Sequence, residues 1–90
     1  MKVEQFKNDR GVPVRNQFII RDGAHTYFQS YETVIAYVYD GELGREVTLD
    51  KNKWNCSKTT SKYRAQFLGE DTKTTQNKID SGEYVLANLN

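Results

Sequence analysis

A cationic segment between Leu49 and Gly69 contains the residues best suited to contact another macromolecule. The segment has no acidic residue between Lys51 and Leu68, and it holds the only Trp of the chain, Trp54. Cations can neutralise phosphates, and an exposed indole can stack on a nucleic-acid base. The basic residues of this segment are Lys51, Lys53, Lys58, Lys62 and Arg64. The pattern predicts a binding surface for a nucleic acid or a protein.

Two further cations, Arg15 and Arg21, fall on the polar side of a predicted strand. In the predicted hairpin that side also presents Gln17, Thr26 and Ser30, groups that can contact phosphates or base edges. Sheets of this kind enter DNA grooves in some DNA-binding proteins. The alternative is that the cations pair with the acidic stretches on either side of them, which would leave no basic surface.

Residues that could support catalysis are few. His25 is the only His, at the end of a predicted hairpin, and a general base needs a nucleophile or a carboxylate within reach. Cys56 lies near Lys53 and Lys58 and near a predicted helix N-terminus, where a thiol pKa can fall, but no His is placed to activate it. One His and one Cys do not form a metal-ligand set. We therefore expect a protein that is not an enzyme and needs no cofactor or metal.

Surplus tyrosine favours a second function class, protein binding, because tyrosine supplies a large contact area at low entropic cost. Tyr37, Tyr39 and Tyr84 are the candidate anchors, and the alternative for each is a place in the core or at its rim. Small size also makes a homodimer reasonable.

Charge is unevenly distributed although the net charge is only +1. Residues 1–22 carry +2, residues 23–50 carry −4, residues 51–68 carry +5 and residues 69–90 carry −2. The chain is therefore polarised, which suits a protein that binds a charged partner.

Length and composition predict one soluble domain. Ninety residues form a thin core, and 37% hydrophobic content suffices for a globular fold. A single Cys cannot form an internal disulfide, which favours a reducing compartment such as the cytoplasm. No apolar run approaches the roughly 18 residues of a membrane span.

Period-two patterns predict an antiparallel sheet in the first half of the chain. Val12–Arg21 alternates between apolar and polar positions, and Asp22-Gly23 predicts a two-residue hairpin loop that places Ile20 opposite His25. Tyr31–Tyr39 is rich in β-branched and aromatic residues and predicts another strand, with helix as the alternative.

The other predicted elements are less uniform. Arg45–Leu49 returns as a strand, and Met1–Asn8 fits either an edge strand or a fraying arm. The C-terminal residues from Glu83 fit a short strand or an extended tail.

Two helices are predicted in the second half. Ser57 can cap the N-terminus of a helix over 58–68, and Gly69 suits the left-handed position that ends it. A polar, marginal helix over about 72–81 follows the capping residues Glu70-Asp71-Thr72. The predicted fold is α+β: three to five antiparallel strands, with the 58–68 helix packed on one face through Tyr63 and Phe67.

Three blocks of the sequence carry a resemblance to a known family. They are Asn16-Gln17-Phe18 with 27–31; Leu49-Asp50 with Trp54, Ser57, 59–60, 62–64 and 67–70; and Lys78-Ile79 with 81–84 and 86–90. Together they resemble small proteins of unknown function found in phages, prophages and plasmids of Gram-positive bacteria. Cys56 departs from the pattern, since an aromatic residue is expected there, which weakens any catalytic role for the thiol. The resemblance implies an accessory protein of a mobile element and assigns no functional residue.

The function expected from these observations is stoichiometric binding to a host or phage protein, for example as an inhibitor of a host defence nuclease. Nucleic-acid binding through the 51–64 segment and the polar sheet face is the alternative. The candidate contact residues are Lys51, Lys53, Trp54, Lys58, Lys62, Arg64, Arg15 and Arg21.

Overall fold

The computed structural model describes all residues from Met1 to Asn90. Five strands form an antiparallel meander, and two helices then lead to a sixth strand that pairs in parallel with the fifth. The fold is therefore α+β with a six-stranded mixed sheet. In chain order the elements are β1 (Lys2–Lys7), β2 (Pro13–Asp22), β3 (His25–Ser30), β4 (Thr33–Gly41), β5 (Gly44–Asp50), α1 (Lys58–Leu68), α2 (Thr72–Asp80) and β6 (Tyr84–Ala87).

The prediction of three to five antiparallel strands is wrong in number and in one pairing. Both edge strands, β1 and β6, come from segments whose patterns were ambiguous in the sequence. β6 runs parallel to β5 because α1 and α2 carry the chain back across the sheet before it pairs, as a parallel connection requires. Neither helix is long and apolar enough to span a lipid bilayer.

The β2–β3 hairpin closes one residue later than predicted. Its loop is Gly23-Ala24, and Asp22 pairs with His25, so that Ile20 lies opposite Tyr27. Gly23 has a φ of 62°, whereas Ala24 does not have positive φ. A type II′ turn needs glycine only at its first central position, so Ala24 can occupy the second.

The sheet has two unlike faces, and the cross-strand register defines them. The face covered by the helices carries the buried core, including Phe28, Ala36, Val38, Val47 and Leu49. The opposite face has no helix on it and is called the open face below.

The predicted polar sheet face is the covered face, which corrects the expectation that it meets a partner. Gln17 and Ser30 are buried and Thr26 is half-buried. The Oγ of Ser30 lies 3.3 Å from Oγ1 of Thr60, a residue of α1. These polar groups serve packing between helix and sheet, because the helix that covers Phe28 covers their positions too.

Helix α1 spans residues 58–68 as predicted, with both predicted caps. Ser57 accepts a hydrogen bond from the N–H of Thr60, and Gly69 adopts the left-handed conformation with φ 72°. Tyr63 and Phe67 pack against the core, but the fully buried stripe is Thr60, Arg64 and Leu68. Helix α2 ends at Asp80, and Asp71 caps it by accepting from the N–H of Thr74.

Tyr31 in the β3–β4 turn gives a test of backbone strain. Its φ is 56°, a left-handed conformation that costs a residue with a Cβ about 1 kcal/mol or more. We expect Tyr31→Gly to be about 1 kcal/mol more stable than Tyr31→Ala in urea unfolding, because only glycine relieves the strain. The neighbouring Glu32 does not have positive φ, so Glu32→Gly should be less stable than Glu32→Ala. The same order at both positions would contradict strain at Tyr31.

Candidate functional site

The strands bring a group of cations to one end of the sheet. At this end β1, β3 and β5 finish and β2 and β4 begin, as the antiparallel register requires. The segment 51–57 follows β5 at the same end and leads into α1. We call this region the basic end, and its cations are Lys7, Arg10, Arg15, Lys51, Lys53, Lys58 and Lys62.

All the cations of the basic end are exposed, and none of them forms an ion pair. The side chains that do form ion pairs are elsewhere: Lys2 and Arg21 with Glu4, and Lys78 with Glu70 and Glu83. The alternative that acidic stretches neutralise the cationic segment one residue at a time is therefore wrong for these lysines. Like charges held together without partners repel one another, so their grouping is not explained by stability.

The other end of the sheet has the opposite charge balance. The β2–β3 and β4–β5 turns lie there with Asp22, Asp40, Glu42 and Glu46, and the start of β1 adds Glu4. The cations at this end are Lys2, Arg21, Arg45 and the N-terminal ammonium, which lies 4.0 Å from Asp22. We call this the acidic end. The polarity seen along the sequence therefore becomes a charge gradient along the strands.

Asp50 holds the turn that presents Lys51 and Lys53. Its backbone carbonyl accepts hydrogen bonds from the N–H groups of Lys53 and Trp54, and its carboxylate accepts from the N–H of Asn52. The N–H of Leu89 also donates to this carboxylate at 2.9 Å. Burial opposes ionisation of Asp50, but these hydrogen bonds outweigh it and lower its pKa. A buried, ionised Asp50 thus fixes the segment from which the two lysines project.

Helix α1 presents Lys58 and Lys62 on its exposed side. The two lysines are four residues apart and therefore neighbours on the helix surface, where like charges cost a few tenths of a kcal/mol. The Nζ of Lys62 lies 5.4 Å from the centroid of the Tyr63 ring. Lys62 also borders a shallow cleft with residues 8–10, which connects α1 to the β1–β2 turn.

Arg64 is not part of the basic end, which corrects its prediction as a contact residue. Its exposed fraction is 0%, and its guanidinium donates to the carbonyl of Trp54 at 2.7 Å and to Oγ1 of Thr72 at 2.6 Å. Burial lowers the pKa of Arg64, and the charge of Glu70 partly offsets this. Arg64 follows Thr60 by four residues on the buried side of α1, so its guanidinium binds groups within the fold and does not face solvent.

Trp54 offers no free ring for stacking on a base. The ring is half-buried, packs against the core, and has the Arg64 guanidinium 5.0 Å from its centroid. Trp54 therefore contributes to the connection between the cationic segment and the core.

The structure separates Arg15 from Arg21. Arg15 is exposed near the start of β2 and belongs to the basic end, whereas Arg21 lies at the acidic end, 3.9 Å from a Glu4 oxygen. Sequence reasoning missed Lys7 and Arg10. The turn sequence Asp9-Arg10-Gly11 could have revealed them. If Met1–Asn8 is a strand, this turn connects β1 to β2 and brings Lys7 and Arg10 to the basic end.

The candidate catalytic residues are not brought together. His25 lies at the acidic end, with its Nδ1 2.5 Å from the hydroxyl of Tyr37, and Cys56 is an exposed thiol at the basic end. No group of three or more His, Cys, Asp and Glu side chains is arranged to hold a metal ion.

The predicted tyrosine anchors divide between the two faces. Tyr37 and Tyr39 lie half-buried on the open face, where the Tyr37 ring stacks on Tyr27 at 4.8 Å and the Tyr39 ring stacks on His25 at 5.1 Å. Burial raises the pKa of Tyr37, and Tyr27, Tyr39 and Glu46 act in the same direction. Tyr84 is buried on the covered face and donates to Glu70, so it is not available as an anchor.

Comparison with known proteins gives one family. A model described as a family of unknown function, DUF8033, matches residues 1–83. The chain belongs to this family. The DUF8033 match includes both sheet ends, all of α1 and α2, and five of the six strands, so the basic end lies within the family region. No curated protein and no solved structure matches the chain.

Proposed function

We propose that this DUF8033 protein is a non-enzymatic binding protein that contacts an acidic surface of a protein partner through its basic end. The observation that carries the proposal is the set of exposed, unpaired cations at one end of a chain whose net charge is only +1. A local field of this kind steers an acidic partner and orients it before contact.

The sequence resemblance supplies the proposed setting. A mobile element of a Gram-positive bacterium would place the protein in the cytoplasm of the host cell, with a host or phage protein as partner. A host defence nuclease is one such partner, and the basic end would then contact an acidic patch outside its nucleic-acid site, which is itself basic. Stoichiometric binding requires no catalytic residue, and the proposal assigns none.

Charge removal at the basic end tests the proposal. We expect a variant with Lys51, Lys53, Lys58 and Lys62 all changed to Gln to lose at least about 90% of the partner retained from host lysate, because each lost contact weakens the complex. The measurement is quantitative mass spectrometry of affinity-purified material. Retention by the unchanged protein should fall as salt rises, since exposed charges are screened.

The matched control removes the same number of cations elsewhere. Lys2, Arg21, Arg45 and Lys73 are exposed and lie outside the basic end. Their change to Gln lowers the net charge equally and should leave partner retention within about twofold. Equal loss in both variants would show that only total charge matters and would contradict the proposal.

The same unpaired cations favour nucleic acid as the second candidate partner. If the four lysines neutralise four phosphates of duplex DNA, the logarithm of the affinity should fall with the logarithm of salt with a slope near −3.6. We expect a much shallower slope, because Arg64 and Trp54 are not available to the ligand and Asp9 and Glu32 lie at the same end. A slope near −3.6 that the lysine variant abolishes would favour nucleic acid.

A further inference from the structure

The open face of the sheet carries a complete row of cross-strand neighbours in which every residue except Thr48 is aliphatic or aromatic. Antiparallel sheets with one solvated face normally carry polar residues there. Here the two edge positions of the row, Val3 and Val85, are 59% and 55% exposed. From β1 to β6 the row is Val3, Ile20, Tyr27, Tyr37, Thr48 and Val85. We call it the open-face row.

Aromatic side chains concentrate at the middle of this face. β3 and β4 are the central pair of the six strands, and they carry Tyr27, Tyr37, Tyr39 and His25 in one stacked group. Phe18 lies on the same face, one row away on β2. Buried aromatic residues surrounded by neutral contacts are the usual centre of a protein interface.

Charge excludes nucleic acid from this face. Asp22 and Glu46 lie in its row at the acidic end, and no Lys or Arg stands among the paired open-face positions of β2 to β5. Phosphates would find no cation there, although bases could stack on the tyrosines. A protein surface of the same apolar character is the occupant that the chemistry fits.

We propose that the open face binds the open face of a second copy of this chain. The open face is about five strand spacings of 4.8 Å wide, and about six residues of each strand run along its length. These dimensions give the open face an area of roughly 500 Å² per copy. Two such faces bury about 1,000 Å², the lower limit for a specific interface. Interfaces near this limit are typically weak, so we expect dissociation in the micromolar to millimolar range.

The charge gradient selects one of the two ways in which the sheets can face each other. A two-fold axis in the interface, perpendicular to the strands, places the basic end of one copy over the acidic end of the other. An axis along the strands places like ends together. Sheets pack about 10 Å apart, close to the Debye length at about 0.1 M salt, so the first arrangement is favoured and the preference weakens as salt rises. Tyr27 and Tyr37 of the two copies meet in it, because these two residues lie in the middle row of the central strands.

The proposed dimer leaves part of the proposed partner surface free. Lys58 and Lys62 project from α1, which packs on the covered face, so both copies keep these lysines accessible. The dimer therefore presents two partner sites, and either surface can exist without the other.

Sedimentation velocity at concentrations from about 1 µM to 1 mM tests this inference across the expected affinity. The wild-type chain should change from monomer to dimer in this range. Thr48→Lys should raise the dissociation constant at least about tenfold, because Thr48 lies in the open-face row and a lysine there is hydrated only in the monomer. Thr59→Lys makes the same change at an exposed position of α1 and should dimerise like wild type.

Two further measurements keep the result unambiguous. Fluorescence of Trp54, which lies away from the open face, confirms that Thr48→Lys is folded. The Cys56→Ser variant, studied alongside, should dimerise as wild type does. A monomer at every concentration, dimerisation of Thr48→Lys equal to wild type, or a dimer lost in Cys56→Ser would each overturn the inference. Chemical shifts of Tyr27 and Tyr37 that respond to an oligonucleotide and not to protein concentration would also overturn it.

Discussion

Arg64→Met should destabilise the protein by about 2–3 kcal/mol, although Met keeps much of the apolar length of the side chain. The guanidinium of Arg64 donates to the carbonyl of Trp54, to Oδ1 of Asn55 and to Oγ1 of Thr72. Removal of the guanidinium leaves these partly buried acceptors without their donor. It also removes the cation that lies against the Trp54 ring.

The measurement is urea unfolding followed by circular dichroism, because Trp54 fluorescence depends directly on Arg64. A domain of this length has a stability of about 5–13 kcal/mol, so the expected loss is a large part of the total. Arg15→Met is the matched control at an exposed position and should change stability by less than about 0.5 kcal/mol. An unchanged midpoint for Arg64→Met would contradict the structural role.

This result also determines how the basic end must be tested. A charge-reversal variant that included Arg64 would lose partner binding by unfolding, and the loss would resemble a contact effect. The lysine set without Arg64 avoids the problem, because those four side chains are exposed and unpaired.

Glu70→Gln should destabilise the protein by about 2–3 kcal/mol at pH 7. The Glu70 carboxylate accepts from the hydroxyl of Tyr84 at 2.6 Å, from Nζ of Lys78 at 2.9 Å and from Oγ1 of Thr75 at 2.7 Å. These three bonds join the end of α1, helix α2 and strand β6 around one charge. A Gln side chain has only one acceptor oxygen and directs an NH₂ group at another donor.

The effect of Glu70→Gln should depend on pH. Burial opposes ionisation of Glu70, but hydrogen bonds from Tyr84, Lys78 and Thr75 outweigh it, and the net pKa is below the ordinary 4.5. A lowered pKa means that the folded state binds fewer protons, so this stabilisation is full above about pH 4.5 and is lost as pH falls through the folded pKa. The stability difference between wild type and Glu70→Gln should therefore shrink between pH 5 and pH 3.

Urea unfolding at several pH values in this window measures the difference directly. Asp50, whose pKa is also lowered, is present in both proteins, so its contribution largely cancels. Glu83→Gln is the control, because Glu83 is exposed and its oxygen lies 3.8 Å from Nζ of Lys78. It should cost less than about 0.5 kcal/mol at every pH. A difference for Glu70→Gln that stays constant down to pH 3 would contradict an ionised Glu70.

Local signals in the sequence were reliable because they report hydrogen bonds between near neighbours. Ser57 and Gly69 determine both ends of α1, and each acts within four residues of its partner. Alternation along β2 also assigned the side chains of β2 and β3 to the correct two groups. The hairpin loop was placed one residue too early, but that shift moves each pairing by two positions and preserves the faces.

The sequence did not determine which group of side chains would be covered, since both contain apolar and polar members. The group with Gln17 and Ser30 is covered because Phe28, Val47 and Leu49 share its face and provide the larger apolar surface for α1. Arg64 was assigned to the surface for a related reason. Its charge is visible in the sequence, whereas its acceptors come from the turn before α1 and from Thr72 after it.

By itself the sequence determined the helix limits, the strand-rich first half and the concentration of lysines at 51–62. Tertiary structure alone decided that Lys7, Arg10 and Arg15 join those lysines, that Arg64 is internal, and that tyrosines are left on a face without a helix. The physical reason is the sequence separation over which each kind of interaction acts. Caps and alternation depend on residues within a few positions, but burial and charge grouping depend on which distant strands become neighbours, and that pairing is settled by the packing of the whole sheet.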